Sequence, residues 1–199
     1  MKRVGVYAGT FDPVHVGHVA FAECALEHGL DMVYFLPEPR PRRKQGVRAL
    51  EHRVGMIEAA IQSHPRLGVI HLKQARFTPH ETLPILHRRF PGAEITLLFG
   101  DDVLTHIASW PLVEKLVSSV DLLIATRNEN RGEIDRKFAA LSSVSGLEFS
   151  HQIINAPHNH VSSSAVRGKL RAGDRQVEHL PAAVADYIKQ HRLYRPRQK

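Results

Sequence analysis

RVGVYAGTFDPVHVGH, residues 3–18, is the stretch whose reading decides the fold. Arg3 to Ala8 reads as a short apolar strand, and the Gly/Pro-containing loop from Gly9 to Gly17 leads directly into an apolar-periodic stretch from His18 to His28. A strand, a glycine-bearing turn and a helix in that order form the opening unit of a parallel α/β sheet. Lys2 and Arg3 imitate the start of a secretory leader, but the apolar stretch behind them ends at Asp12, too early for a secretory core.

Outward from this unit the alternation continues. Met32 to Leu36 predicts a second strand, stopped by Pro37, Pro39 and Pro41, and Leu50, Val54, Ile57 and Ile61 give helical spacing to residues 50–61. Leu67 to Leu72 predicts a third strand, followed by a helix from Pro79 to Phe90 with Thr78 as N-cap and Pro79 at its first position. Glu94 to Phe99 is the fourth strand, with helical stretches on both sides of Trp110, and Val120 to Thr126 the fifth. A helix from Glu133 to Leu141, a strand from Leu147 to Ile154 and two final helices opening at Ser162 or Ser163 and at Pro181 complete the chain. The pattern predicts an α/β fold, a doubly wound Rossmann-like parallel sheet covered on both faces. No repeat, linker or low-complexity segment divides it, so residues 1–199 are expected to form a single domain. Ligands of such folds sit beyond the carboxyl ends of the strands where the strand order reverses, commonly between strands one and four, which directs attention to the loops after Ala8 and Phe99.

Composition narrows the function classes. With 43% apolar and 24% charged residues in 199, the chain can build a sizeable core, which excludes a disordered or collagenous protein. Cys24 is the only cysteine, so no intrachain disulfide can form and Cys24, on the apolar face of the first helix, reads as a small core residue. Apolar runs such as Val120 to Ala125 fall far short of the about 20 residues a spanning helix needs, so no membrane segment is expected, and cytoplasm is the expected compartment. A net charge of +7 points to anionic partners without separating nucleic acid from phosphorylated small molecules.

The placement of particular residues does separate them. A glycine-bearing turn entering a helix supplies free N–H groups and the positive end of the helix dipole, both suited to phosphate, and His15 and His18 share one face of the first turn. An incidental βα turn is the bland alternative; a zinc site is disfavoured because there is neither an HExxH arrangement nor a cysteine pair. Ser162 and Ser163 are good N-caps for a helix that would present N–H groups to a second anion, with Arg167 one turn further in able to clamp phosphate oxygens. Arg40, Arg42, Arg43 and Lys44 form a basic, Pro-rich loop that reads as a solvated surface, a nucleic-acid contact or a phosphate-neutralised lid.

Residues 9–18 strongly resemble the G-T-F-D-P-x-H-x-G-H signature of the nucleotidylyltransferase superfamily, in particular the bacterial nicotinate-nucleotide adenylyltransferases. Gly100, Asp102 and Trp110 are similar to that family's G-x-D and following Trp, and Ser162-Ser163-Ser164-Ala165-Val166-Arg167 to its S-S-T-x-I-R. The closing pattern Leu180-Pro181, Val184, Tyr187-Ile188 and Leu193-Tyr194 also resembles it, so the likeness spans nearly the whole chain. Ala8 stands where relatives have a second Gly, Arg43 replaces the His of a P-P-H-[KR] stretch, Phe77-Thr78-Pro79-His80-Glu81-Thr82-Leu83 replaces Y-T-x-D-T-L, and Pro111 follows Trp110. These departures leave the ATP side intact and bear on the acceptor.

The resemblance implies a nucleotidylyltransferase-type domain whose C-terminal helices, about residues 162–192, close the ATP site. It implies His15, His18, Lys44 and Arg167 as catalytic residues, and Gly9, Thr10, Phe11, Asp12, Gly17, Gly100, Asp102, Ser162, Ser163 and Ser164 as the ATP site. Thr82 and Trp110 would meet the acceptor. The expected reaction is adenylyl transfer from ATP to nicotinate mononucleotide, with Mg²⁺ bound mainly through the ATP phosphates rather than a protein cage. Nicotinamide mononucleotide or a phosphorylated pantetheine is the alternative acceptor, and a non-enzymatic nucleotide- or RNA-binding module using the basic loop and Arg192, Arg195, Arg197 and Lys199 is the alternative class. Nucleic acid is disfavoured because 8 Phe, 4 Tyr and 1 Trp form no aromatic-rich RNA signature. An oligomer is compatible with the sequence.

Overall fold

The computed structural model describes every residue except 42, 43, 75, 106, 127–130, 175, 176 and 196–199. Six parallel strands, β1 (Arg3–Gly9), β2 (Met32–Pro37), β3 (Leu67–Val69), β4 (Glu94–Gly100), β5 (Asp121–Ala125) and β6 (His151–Ile154), pair in the order β3-β2-β1-β4-β5-β6. The order reverses between β1 and β4, so the carboxyl ends of these two strands open the crevice where the expected ligand loops lie. Among the described residues no helix is long and apolar enough to cross a membrane.

Each central strand alternates its side chains between two cores. Tyr7, Val33, Phe35, Leu98 and Leu123 face one layer with α1 (Val16–Glu27), α2 (Leu50–Ile61) and α7 (Ala182–Gln190). Val6, Leu36, Leu97, Phe99, Leu122 and Ile124 face the other, with α3 (Pro79–Arg89), α4 (Val113–Val117) and α5 (Arg131–Ser145). That two-sided burial is why the strands read as continuous apolar runs. The remaining helix, α6 (Ser163–Ala172), stands at the carboxyl end of the sheet.

Several boundaries differ from the sequence expectation. Helix α1 begins at Val16 with His15 as its N-cap, two residues earlier than the apolar pattern shows, because the cap is supplied by histidines rather than by a short hydroxyl or carboxylate. Strand β3 stops at Val69 instead of Leu72, since it has one neighbour only and the chain leaves the ladder after Ile70 N–H reaches Phe35 C=O at 2.8 Å. Strand β6 starts at His151 rather than Leu147, because its register begins opposite Leu122. The stretches flanking Trp110 are short 3₁₀ turns, Asp101–Thr105 and Ile107–Ser109, and helix α4.

One buried charge ties the layers to the site. Arg53 on α2 has no solvent exposure, and its guanidinium donates from Nε to Arg48 C=O at 2.9 Å, from Nη1 to Thr10 C=O at 2.9 Å and from Nη2 to Pro39 C=O at 3.2 Å. Burial pulls its pKa down, and the charges of Asp12, Tyr194, Glu38 and Glu51 oppose that shift. Arg53→Met should therefore cost about 2–4 kcal/mol of unfolding free energy, because apolar replacement strands carbonyls that lose their donor on the inner side. Chemical denaturation checks this; a loss below about 1 kcal/mol would mean that water satisfies those carbonyls instead.

Candidate active site

The loop after β1 is shaped by its own aromatic ring. Phe11 adopts a left-handed φ of 52° and is 2% exposed, with its ring 5.2 Å from Tyr7 and from Phe35 and 5.1 Å from His18. The Phe11 ring lies so close to Gly9 that a Cβ there would sit 2.7 Å from it, which is why this turn needs glycine. At the start of α1, His15 and His18 stack with ring centroids 3.7 Å apart, and His15 N–H donates to His18 Nδ1 at 3.2 Å. Because Nδ1 accepts, the proton of the neutral His18 ring is on Nε2, which is then the donor the ring can offer. Gly17 is pressed against the loop after β6, where a Cβ would meet His158 C=O at 2.5 Å.

The start of α6 converges on the loop after β1. Ser162 caps α6 by accepting from Ala165 N–H at 3.2 Å, and Ser163 Oγ donates to Pro13 C=O at 2.9 Å. Arg167 donates from Nη1 to Asp12 C=O at 2.6 Å and from Nη2 to Ser164 Oγ at 3.0 Å. Thus α6 is tied to the β1 loop by its own site residues. The Asp12 carboxylate is 3% exposed and accepts the Tyr194 hydroxyl; Tyr194 is itself 1% exposed and carries the Arg48 guanidinium over its ring at 5.0 Å. Burial, and then the bond to Asp12, push the Tyr194 hydroxyl well above the ordinary tyrosine range.

These elements line one open cleft of about 680 Å³, inside the size range of small-ligand sites. Gly9, Thr10, Phe11, Asp12, His15, His18, Lys44, Gly100, Asp102, Trp110, Ser162, Ser163, Ser164 and Arg167 all border it. Its opposite end is aromatic: Trp110 sits 5.9 Å from Phe77 and 5.6 Å from Phe99, ring centroid to centroid. Lys44 Nζ donates to Thr10 Oγ1 at 2.9 Å, placing the end of the basic loop on the β1 loop. Pro39 C=O is held by Arg53 and Arg40 C=O by Arg76 Nε at 3.0 Å, so the described part of a loop expected to be loose is tethered at three points. Arg42 and Arg43, like Arg197 and Lys199, lie outside the described residues.

Two expected residues stand elsewhere. Thr82 is fully buried and its hydroxyl accepts Thr78 N–H at 3.0 Å, so it secures the start of α3 and is not among the residues lining the cleft. Gly17 lines a smaller recess behind His15 and His18 rather than the cleft itself. Of the C-terminal helices, α6 faces the cleft, whereas α7 packs on α2, with Tyr187 over Gly55. Sequence reading missed Arg53, Tyr194, Glu38, Phe77 and Phe99. A signal existed for Arg53: it lies three residues after Leu50 and four before Ile57, on the apolar stripe of α2 where a solvated arginine has no place.

The profile of the cytidylyltransferase-like family matches residues 6–169. The chain belongs to that family. It is 34% identical to the probable nicotinate-nucleotide adenylyltransferase of Neisseria meningitidis serogroup B, over 98% of this chain and 99% of that one. It is 36% identical to the protein of the same name from Symbiobacterium thermophilum, over 98% and 96% of the two chains. The fold is similar to that of Plasmodium falciparum nicotinic acid mononucleotide adenylyltransferase complexed with NaAD, with a TM-score of 0.76 and 20% identity over 98% of each chain. The family match begins within β1 and ends within α6, and so includes the loop after β1 and the start of α6.

The Tyr194–Asp12 bond reaches from beyond that matched segment to its first loop and locks it. Tyr194→Phe should destabilise the protein by about 1–3 kcal/mol between pH 7 and 9, the cost of leaving a buried acceptor short of a donor. Because the folded hydroxyl titrates above its unfolded value of about 10, the bond's contribution is complete below that pH and fades as pH rises beyond it. Denaturation curves of the two proteins should accordingly converge above about pH 10; a gap that stays constant there would contradict the assignment.

Proposed function

We propose that this protein transfers the adenylyl group of ATP to nicotinate mononucleotide, forming nicotinate adenine dinucleotide and pyrophosphate, a step of NAD biosynthesis. The observation that carries the reading is the convergence of two helix N-termini, α1 with His15 and His18 and α6 with Ser162 and Arg167, on one end of a cleft whose other end is aromatic. Names of the curated relatives support the acceptor.

The reaction needs alignment and charge stabilisation more than proton transfer. An oxygen of the acceptor phosphate, already anionic, attacks the α-phosphorus of ATP, and the bond from that phosphorus to the oxygen bridging to the β-phosphorus breaks, releasing pyrophosphate. No general base is required, so two polyanions must instead be held in line. His18 offers Nε2–H, Lys44 and Arg167 offer cations, and the first turns of α1 and α6 offer N–H groups to the phosphates. Arg167 is pre-positioned by Asp12 and Ser164, so little reorganisation accompanies charge development.

Mg²⁺ would ride on the triphosphate oxygens and water and neutralise charge on them. The residues present fit that arrangement: the Asp12 carboxylate is engaged by Tyr194, and Asp102 is an exposed carboxylate on the cleft wall. Lys44 turns onto Thr10 within the cleft, which favours a small phosphorylated ligand over nucleic acid as the partner of the basic loop.

Pyrophosphate release from MgATP with a panel of phosphorylated acceptors tests the reading; activity with a phosphorylated pantetheine and none with pyridine mononucleotides would refute it. His18→Ala should lower kcat on the order of 100-fold, the usual loss for one charge-stabilising donor. An unchanged kcat with a raised KM alone would remove His18 from the transition state. Lys44→Ala should raise the KM for ATP or the acceptor while shifting folding stability by no more than about half a kcal/mol, as expected for an exposed side chain.

A further inference from the structure

The cleft contains a carboxylate that the reaction does not use. Glu38 follows β2 directly, is half-buried, and is fixed by its own N–H, which donates to Gly9 C=O at 3.0 Å. Its Oε1 accepts Phe77 N–H at 2.9 Å, which places the charge at the aromatic end, where Phe77 faces Trp110. One bond leaves a carboxylate with acceptor capacity to spare. The guanidinium of Arg53 feels this charge, yet its nitrogens are engaged by the Arg48, Thr10 and Pro39 carbonyls rather than by Glu38. Among the described residues, the lysine and arginine lining the cleft, Lys44 and Arg167, donate to Thr10 and Asp12.

A flat pyridine ring held at the aromatic end therefore meets a fixed negative charge. For a ring that bears a carboxylate, that charge is repulsive, and Glu38 already occupies the Phe77 N–H that an acid group could use. For a ring that bears a carboxamide, the same carboxylate accepts an amide N–H. We propose that Glu38 is a specificity-determining residue for the acceptor, weakening discrimination in favour of the acidic pyridine mononucleotide and admitting the amide. The inference rests on the adenylyl-transfer reading and deepens it.

Glu38→Gln keeps an oxygen for Phe77 N–H and removes the charge. The ratio of kcat/KM for nicotinate mononucleotide to that for nicotinamide mononucleotide should rise about tenfold in the variant, as expected for a like charge removed at short range in a partly buried site. Both substrates are measured on one protein, so any general loss of activity cancels in the ratio. Calorimetric titration of each mononucleotide onto wild type and variant supplies the same ratio from Kd values, independent of turnover. A ratio that stays within about twofold of wild type, or falls, while wild type turns over a pyridine mononucleotide, overturns the role of Glu38 and leaves the proposed function standing. A wild type that neither binds nor turns over either mononucleotide overturns both.

Discussion

The buried guanidinium of Arg53 is the constraint on which the site depends. A cation withdrawn from water is tolerable only while its donors are matched, and here the matches are backbone carbonyls of the phosphate loop, the basic loop and the chain entering α2. The planar fork fixes their relative positions as a point charge could not. None of these segments can drift without unpairing a buried charge. From the other side, Arg167 holds the Asp12 carbonyl and Tyr194 its carboxylate, so the loop from Gly9 to Gly17 is gripped by three distant parts of the chain.

That grip explains how a site with so little acid–base machinery can be catalytic. Stabilising charge on phosphates is effective when donors are already oriented, because no reorganisation then opposes the reaction. His18 is oriented by His15 N–H, Arg167 by Asp12 and Ser164, and Lys44 by Thr10. The net charge of +7 supplies attraction for polyanions at long range, whereas the bonds within the loop fix the orientation of its donors.

The features readable from the sequence were local ones. Alternation of strands and helices, the Thr78 and Ser162 caps and the histidine pair all depend on neighbours in the chain, and the reversal between β1 and β4 follows from the general rule for sheets of this kind. What escaped depends on partners far away. The resemblance implies Asp12 as an ATP-site residue, whereas the fold supplies Tyr194 to its carboxylate from the other end of the protein. The resemblance implies Thr82 as an acceptor contact, but its hydroxyl turns back to accept Thr78 N–H. The hydrogen bond that joins Phe77 N–H to Glu38 links residues 39 positions apart, and nothing in the spacing of the chain reveals that pairing.

The two ends of the cleft also differ in how freely they can vary. At the end that holds His18 and Arg167, the side chains of Arg53, Ser163 and Arg167 donate to the carbonyls of Thr10, Pro13 and Asp12, and Arg167 also to Ser164 Oγ, so replacing one of these donors strands an acceptor of the β1 loop. At the aromatic end Phe77, Phe99 and Trp110 meet through ring packing, which tolerates substitution so long as volume and shape are kept. The sequence departure at Phe77 falls at this end, with Pro111 adjoining Trp110, and so does the carboxylate of Glu38. Hydrogen-bond coupling on one side of the crevice and ring packing on the other thus leave, among the described residues, the aromatic end freer to vary than the end that holds His18 and Arg167.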